Sequence, residues 1–210
     1  MNWYQKYQTT KIGSWEDDRP QFDNTRPYDE RMMDKDEHEA FTWDRVLQQV
    51  PWVLKKSTTH QDRNKGIDAI ITGLKSGMPS TPQTVQLKIR QSGNDVLLET
   101  IKPYPPPNIN NPWTGKDSKS EADLFYCVDS TGILRIFKAE KLQNAAKELS
   151  SQLLLINTNN PQIKKYRGSY GEARIVLEPS QQANYKQGKV NKMIALINHG
   201  IIKPIYTIQL

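Results

Sequence analysis

Asp68, Gln86 and Lys88 are the residues of this chain whose types and spacing most readily support chemistry. They lie in two stretches that read as strands, Gly66-Ile67-Asp68-Ala69-Ile70-Ile71 and Thr84-Val85-Gln86-Leu87-Lys88-Ile89-Arg90. Side chains two apart on a strand share a face, so Gln86 and Lys88 project together while Leu87 enters the core. Asp68, one strand away, can join them. A carboxylate, a neutral carbonyl oxygen and an ammonium in one cluster suit phosphodiester hydrolysis. That reaction needs oxygen ligands for a hard divalent cation and a positive charge near the attacking water. Taken alone, the spacing is also that of an ordinary polar strand face.

The neighbouring sequence supplies elements that could hold such a cluster. From Asp34 onward, Ala40, Trp43, Leu47 and Val50 recur at helical spacing, and Pro51 ends the helix. Residues 52–57 read as a short strand ahead of the Asp68 and Gln86 strands. Gly93-Asn94 then marks a turn into residues 95–100, giving a hairpin with the Gln86 strand. Five prolines between residues 102 and 120 make a long surface loop. Residues 122–128 and 133–137 read as strands. Residues 138–156 read as a helix, with Leu142, Ala145, Ala146, Leu149 and Leu153 on one side. Strands over 173–177 and near 201–208 complete the reading. The chain divides into an extended acidic and aromatic leader (1–35), a core (36–158) and a basic-aromatic β extension (159–210).

With 210 residues the chain can bury one sizeable core. It has no apolar run of the roughly 18–20 residues that a membrane span needs, and its start lacks the apolar stretch of a secretory signal. The single cysteine, Cys127, excludes an internal disulfide and points to a reducing compartment. With His38, His60 and His199 scattered, no soft-ligand zinc site can be assembled. The expectation is a cytoplasmic protein of a prokaryotic or phage-type cytosol. Charge is unevenly spread: residues 15–39 hold ten acids against four bases, while residues 40–210 hold 23 bases against 13 acids. A body with a net charge of +10 favours a polyanionic partner.

Four segments in order carry a family resemblance: Lys65-Gly66-Ile67-Asp68-Ala69, Val85-Gln86-Leu87-Lys88-Ile89-Arg90, Asp95-Val96-Leu97-Leu98-Glu99 and Lys119-Ser120-Glu121-Ala122-Asp123. Over about residues 34–137 the chain resembles the PD-(D/E)XK, or restriction-endonuclease-like, superfamily in its Gln-x-Lys variant. The resemblance implies an α/β fold, a central mixed β-sheet flanked by helices, acting on DNA with Mg²⁺ or Mn²⁺. It implies Asp68 as a metal ligand and Gln86 as a second ligand or water-orienting group. Lys88 would position the nucleophile or stabilise developing charge. An acid on the first helix completes the set: Glu39, which shares a stripe with Trp43, Val46 and Val50, or Glu37. Ile67 stands where a proline commonly precedes the aspartate. Gln86 stands where a glutamate is usual, which leaves the site one negative charge poorer.

Glu99, at the end of its strand, is a further candidate for the site, and Asp123 recurs in the pattern. Lys65, Arg90, Lys116 and Lys119 are candidates for phosphate contact. In the tail, Lys164, Lys165 and Arg167 alternate with Tyr166 and Tyr170, as nucleic-acid contacts often do. The leading expectation is an Mg²⁺-dependent deoxyribonuclease. A non-catalytic DNA-binding protein on the same fold is the alternative, and a protein-interaction module built on the proline-rich loop and the aromatic leader is a third. Double-strand cleavage with one site per chain calls for a homodimer or higher oligomer. The basic body leads to a first test: duplex DNA should bind with an affinity that falls steeply as salt rises, because neutralised phosphates release counterions. Affinity independent of salt, in a titration at several salt concentrations, would contradict it.

Overall fold

A computed structural model describes residues 14, 15, 19, 28–78, 80–90, 93–101, 113, 115–176 and 192–210. Most of the expected leader, and residues 102–112 of the proline-rich loop, lie outside the described residues.

Every side chain of β5 (Leu124–Val128) is buried, but successive ones enter different cores. Leu124, Tyr126 and Val128 join one cluster, and Phe125 and Cys127 the other. This strand is central in a six-stranded sheet that separates the two cores. The order is β1 (Trp52–Lys56), β2 (Ala69–Leu74), β3 (Gln83–Ile89), β5, β6 (Ile133–Lys138) and β10 (Tyr206–Gln209). The sheet curls: Trp52 on β1 meets both Tyr126 and Tyr206, with ring centroids 6.3 and 5.6 Å apart. A second sheet holds β4 (Val96–Ile101), β9 (Lys192–Ile197), β8 (Gly171–Val176) and β7 (Lys165–Gly168), in that order. With two long helices among the described residues, the chain is mixed α/β. No described helix is long and apolar enough to cross a membrane.

Helix α1 (Tyr28–Gln49) covers one face of the first sheet, packing Phe41, Trp43 and Val46 against Val85, Leu87 and Tyr126. It begins six residues before Asp34, the first position of the expected helix, with Tyr28, Met32 and Met33 lying among the charged residues Asp29, Glu30 and Arg31. Pro51 follows its end, as a proline disfavours helical geometry before it. The last turn holds no base of its own. Lys75 supplies one, donating to the carbonyls of Leu47 (2.7 Å) and Gln48 (3.0 Å), where a cation suits the helix terminus. Helix α2 (Ala139–Asn159) fills the other core, with Leu142, Leu149 and Leu153 among Phe125, Cys127, Met193 and Ala195.

The expected hairpin between β3 and β4 does not form. Both edges of β3 are occupied, by antiparallel β2 and by parallel β5. β4 pairs instead with β9 in the second sheet, where Val96, Leu98 and Ile101 are buried. A parallel pair requires a crossover. Here it runs through β4 and a turn at 115–119, and no helix lies on it among the described residues. The turn covers the free edge of β4: the Gly115 amide donates to Thr100 O (3.1 Å) and the Ser118 hydroxyl to the same oxygen (2.8 Å). Capping of this kind blocks edge-to-edge pairing. Residues beyond 158 are woven into both sheets, since β7, β8 and β9 build the second and β10 pairs with β6 in the first.

Gly115 is fixed by close approach. A Cβ there would lie 2.3 Å from Glu99 O and 2.7 Å from the Thr100 carbonyl carbon. Gly115→Ala should therefore destabilise the fold by about 2 kcal/mol through overpacking. Denaturant unfolding would check this, and an unchanged midpoint would show that the turn is not seated on β4.

Candidate functional site

Asp68 immediately precedes β2. Its amide donates to Val85 O (2.8 Å) and its carbonyl accepts from the Ser57 amide (3.1 Å). β2 and β3 pair through Ala69 and Val85. Beyond that point the Asp68 carboxylate continues the bonding, with Oδ2 accepting the Leu87 amide at 2.7 Å. Val85 and Leu87 enter the core under α1, so Gln86 and Lys88 project together from the opposite face. Asp68 is thus bonded to the strand that carries Gln86 and Lys88, at the residue between them.

Gln86 is completely buried, and neither its Oε1 nor its Nε2 has a hydrogen-bond partner among the described residues. Buried side-chain amides are nearly always bonded, because an unpaired one loses its hydration without return. Gly66 packs over this amide. It closes a single π-helical turn (Gln61–Lys65) in left-handed geometry, φ +62°. A Cβ at Gly66 would lie 3.2 Å from Gln86 Nε2 and from Ser120. Ser120 Oγ donates to Gly66 O (3.0 Å), and Gln143 Nε2 donates to the carbonyls of Asp117 and Ser120 at 2.9 Å.

The sequence reading missed Asp117. Its carboxylate pairs with the Lys88 ammonium through Oδ1 and accepts the Glu99 amide through Oδ2 at 2.7 Å. The Asp117 side chain is 3% exposed and that of Lys88 18%. The available signal was an acid between Lys116 and Lys119 on the turn that ends the proline-rich stretch. No periodicity marks it.

Burial is the main influence on Asp68 and pushes its carboxyl up to about 6. The Leu87 amide and the charges of Lys116 and Lys88 pull downward, and Asp62 adds to the rise. At Lys116, burial acts against the charge, but Asp68, Asp62 and Asp117 together hold the ammonium above its ordinary range. Lys116 Nζ lies 3.3 Å from Asp62 Oδ1. Cys127 is buried and its thiol is pushed upward, which makes it unreactive.

Other candidates lie elsewhere. Glu37 and Glu39 are exposed on α1, whose apolar side packs on the sheet face opposite Gln86 and Lys88. The Glu99 carboxylate pairs with Lys192 (2.9 Å), although its backbone supports Asp117. Asp123 bonds the amide and hydroxyl of Thr84 (2.7 and 2.8 Å), a strand-end clip. Lys65 pairs with Glu121 at 2.7 Å and Arg90 with Asp95 at 2.6 Å. Lys119 is exposed on the turn. Lys164 donates to Pro161 O, while Lys165 and Arg167 pair with Glu172. Tyr166 and Tyr170 pack against the α2 core, so their rings do not interleave with the bases as stacking platforms.

By donor type, Asp68 and Gln86 are the residues that could hold a hard cation of the Mg²⁺ or Mn²⁺ type. Asp68 offers an anionic oxygen and Gln86 an unpartnered amide oxygen. Among the described residues no three His, Cys, Asp or Glu side chains group to hold a metal. Mg²⁺ does not require such a cage, because it keeps several waters and binds through one or two carboxylates.

The raised Asp68 carboxyl has a consequence for stability. The folded state holds this proton more tightly than the unfolded chain, so stability falls as pH rises from about 4 through about 6. Without divalent metal, Asp68→Asn should stabilise the protein by about 2 kcal/mol above that range. Below pH ~4 the two proteins should converge. Denaturant unfolding in EDTA at acid and alkaline pH measures this, and a variant less stable at alkaline pH would contradict the burial.

No protein-family model, no curated protein and no solved structure matches this chain, and the chemistry of the site rests on its own geometry.

Proposed function

We propose that this chain is a divalent-metal-dependent endonuclease that hydrolyses DNA phosphodiester bonds on a restriction-endonuclease-like core. The observation that carries the reading is the Gln86 amide: fully buried, unpartnered among the described residues, and on one sheet face with Lys88. The Asp68 carboxyl, bonded to the amide of the next residue on the strand, Leu87, is kept from ionising at its ordinary pH by burial. Neither feature stabilises a fold. Both become useful when an oxygen-seeking cation is shared between them. Polar groups held unsatisfied or out of their normal titration range are typical of sites shaped for chemistry.

In this reading Asp68 and Gln86 hold the cation, and Asp68 must ionise to do so. The chemistry such an ion supplies when bound is Lewis-acid stabilisation of the scissile phosphoryl group. Lys88 places a positive charge at the same surface, suited to developing charge on phosphate oxygens. Asp117 fixes where the Lys88 ammonium sits. The amide of Leu87 orients Asp68 through Oδ2. The net charge of +10 over residues 40–210 suits a polyanionic substrate.

A non-catalytic DNA-binding protein on the same fold is the second reading. The observation in its favour is that Lys88 is already neutralised by Asp117, while Gln86 leaves the centre short of one carboxylate.

Plasmid nicking with Mg²⁺ or Mn²⁺ separates the two. The native chain should nick, and Asp68→Ala and Gln86→Leu should each lose about 100-fold or more. Lys88→Ala and Lys88→Arg should both be severe, since a planar fork does not replace a compact ammonium. Gln86→Glu should retain activity and reach it at lower Mg²⁺, because added charge strengthens a hard-cation site. A Gln86→Leu protein with native rates would sink the nuclease reading. DNA binding without nicking by the native chain would favour the second.

A further inference from the structure

The four-stranded sheet has an inner face against α2 and an outer face turned away from it. Tyr166, Ala173, Ile175, Met193 and Ala195 point inward. Lys165 and Arg167 on β7, and Glu172 and Arg174 on β8, therefore project outward by the two-residue strand period. The strand register sets Lys165 opposite Arg174 and Arg167 opposite Glu172, so the four side chains form one block.

At its centre is the Glu172 carboxylate, whose side chain is 9% exposed. Its Oε2 receives Lys165 Nζ at 2.6 Å and Arg167 Nε at 3.0 Å, and its Oε1 receives Arg174 Nε. Burial tends to raise this carboxyl, yet hydrogen bonds from Lys165, Arg174 and Arg167 bring it down to about 2. It is ionised at any working pH. One carboxylate needs one cation, and three are supplied. The block keeps a net charge of +2. Both arginines bond Glu172 through Nε, which leaves their terminal amino groups directed elsewhere, and the Arg167 side chain is 79% exposed. A guanidinium held by one edge, with its remaining donors outward, is prearranged for phosphate oxygens.

We propose that this outer sheet face, organised by Glu172 and presenting Arg167, Arg174 and Lys165, is a docking surface for the phosphodiester backbone of duplex DNA. The choice of DNA as the polyanion rests on the nuclease reading. The excess charge and the outward guanidinium edges do not. Glu172 is a positioning residue, because it holds the cations in place without facing the phosphates. Lys164 is not part of the surface, since it bonds the Pro161 carbonyl.

The test is fluorescence anisotropy with a short labelled duplex and the full chain, in EDTA so that no cleavage contributes, at several salt concentrations. Arg167→Ala is the primary variant, because that side chain is exposed and makes one ion pair, so the fold should survive. It should lower the slope of log affinity against log salt by about 1, and Arg167→Ala with Arg174→Ala by about 2. Lys138→Ala with Lys141→Ala removes two charges beside the start of α2, away from the outer face, and should leave the slope unchanged. A native slope in folded Arg167→Ala, an equal drop in the α2 pair, or no DNA binding by the native chain would each overturn the surface. So would polyglutamate competing as well as DNA. Patch-dependent binding in a protein that never nicks DNA would sink the nuclease reading and leave the surface standing. Nicking with an unchanged slope would do the reverse.

Discussion

The Asp117 carboxylate joins the two sheets. One oxygen meets the ammonium of Lys88 on the six-stranded sheet, and the other accepts the Glu99 amide at the edge of the four-stranded sheet. With Asp117 almost fully buried, neither partner is dispensable. Removing one member of a buried pair leaves a charge in a low-dielectric setting, which costs more than the pair contributes. The crossover from β3 to β5 is built to deliver this contact. β4 carries the chain to the second sheet, Gly115 lets the turn lie flat on its edge, and the turn lays Asp117 over Lys88.

The rest of the centre runs against stability. Asp68 bears the cost of burial, and its amide partner and the nearby lysines recover only part of it. Gln86 is enclosed by Gly66 and Ser120 with nothing to bond among the described residues. Some buried polar groups elsewhere are fully bonded. Asp129, for example, takes bonds from Thr131, Ile133 and Arg135. Unpaired buried polar atoms also occur at His38, Trp52, Ser57, Ser80, Arg90 and Tyr126, and Gln86 is the one carboxamide among them, with both its oxygen and its nitrogen left over among the described residues.

The strand period made the Gln86, Leu87 and Lys88 arrangement legible in the sequence, because alternation fixes faces without knowledge of the partners. The same period hid other features. Lys192 to Ile197 mixes apolar residues on both faces, since Ile194 and Leu196 are half-buried outside while Met193, Ala195 and Ile197 are buried inside. No alternation announces β9. Without β9, β4 had no visible partner, and Gly93-Asn94 suggested a hairpin that β5 forestalls by taking the edge of β3. The tail bases were visible, but their convergence on Glu172 depends on the register of β7 and β8. Asp117 sits in a polar turn where no pattern separates a buried acid from a solvated one. Glu39 lies at helical spacing from Trp43, Val46 and Val50, and that spacing does not tell which face of the sheet the helix covers.

The proposed function requires Asp68 and Gln86 to share a divalent cation. Crystals of the full chain soaked in Mn²⁺ and measured at the manganese edge test it directly. The expected result is one anomalous peak within coordination distance of both the Asp68 carboxylate and Gln86 Oε1. No peak there, with the Gln86 amide instead bonded to neighbouring protein groups, would contradict the account.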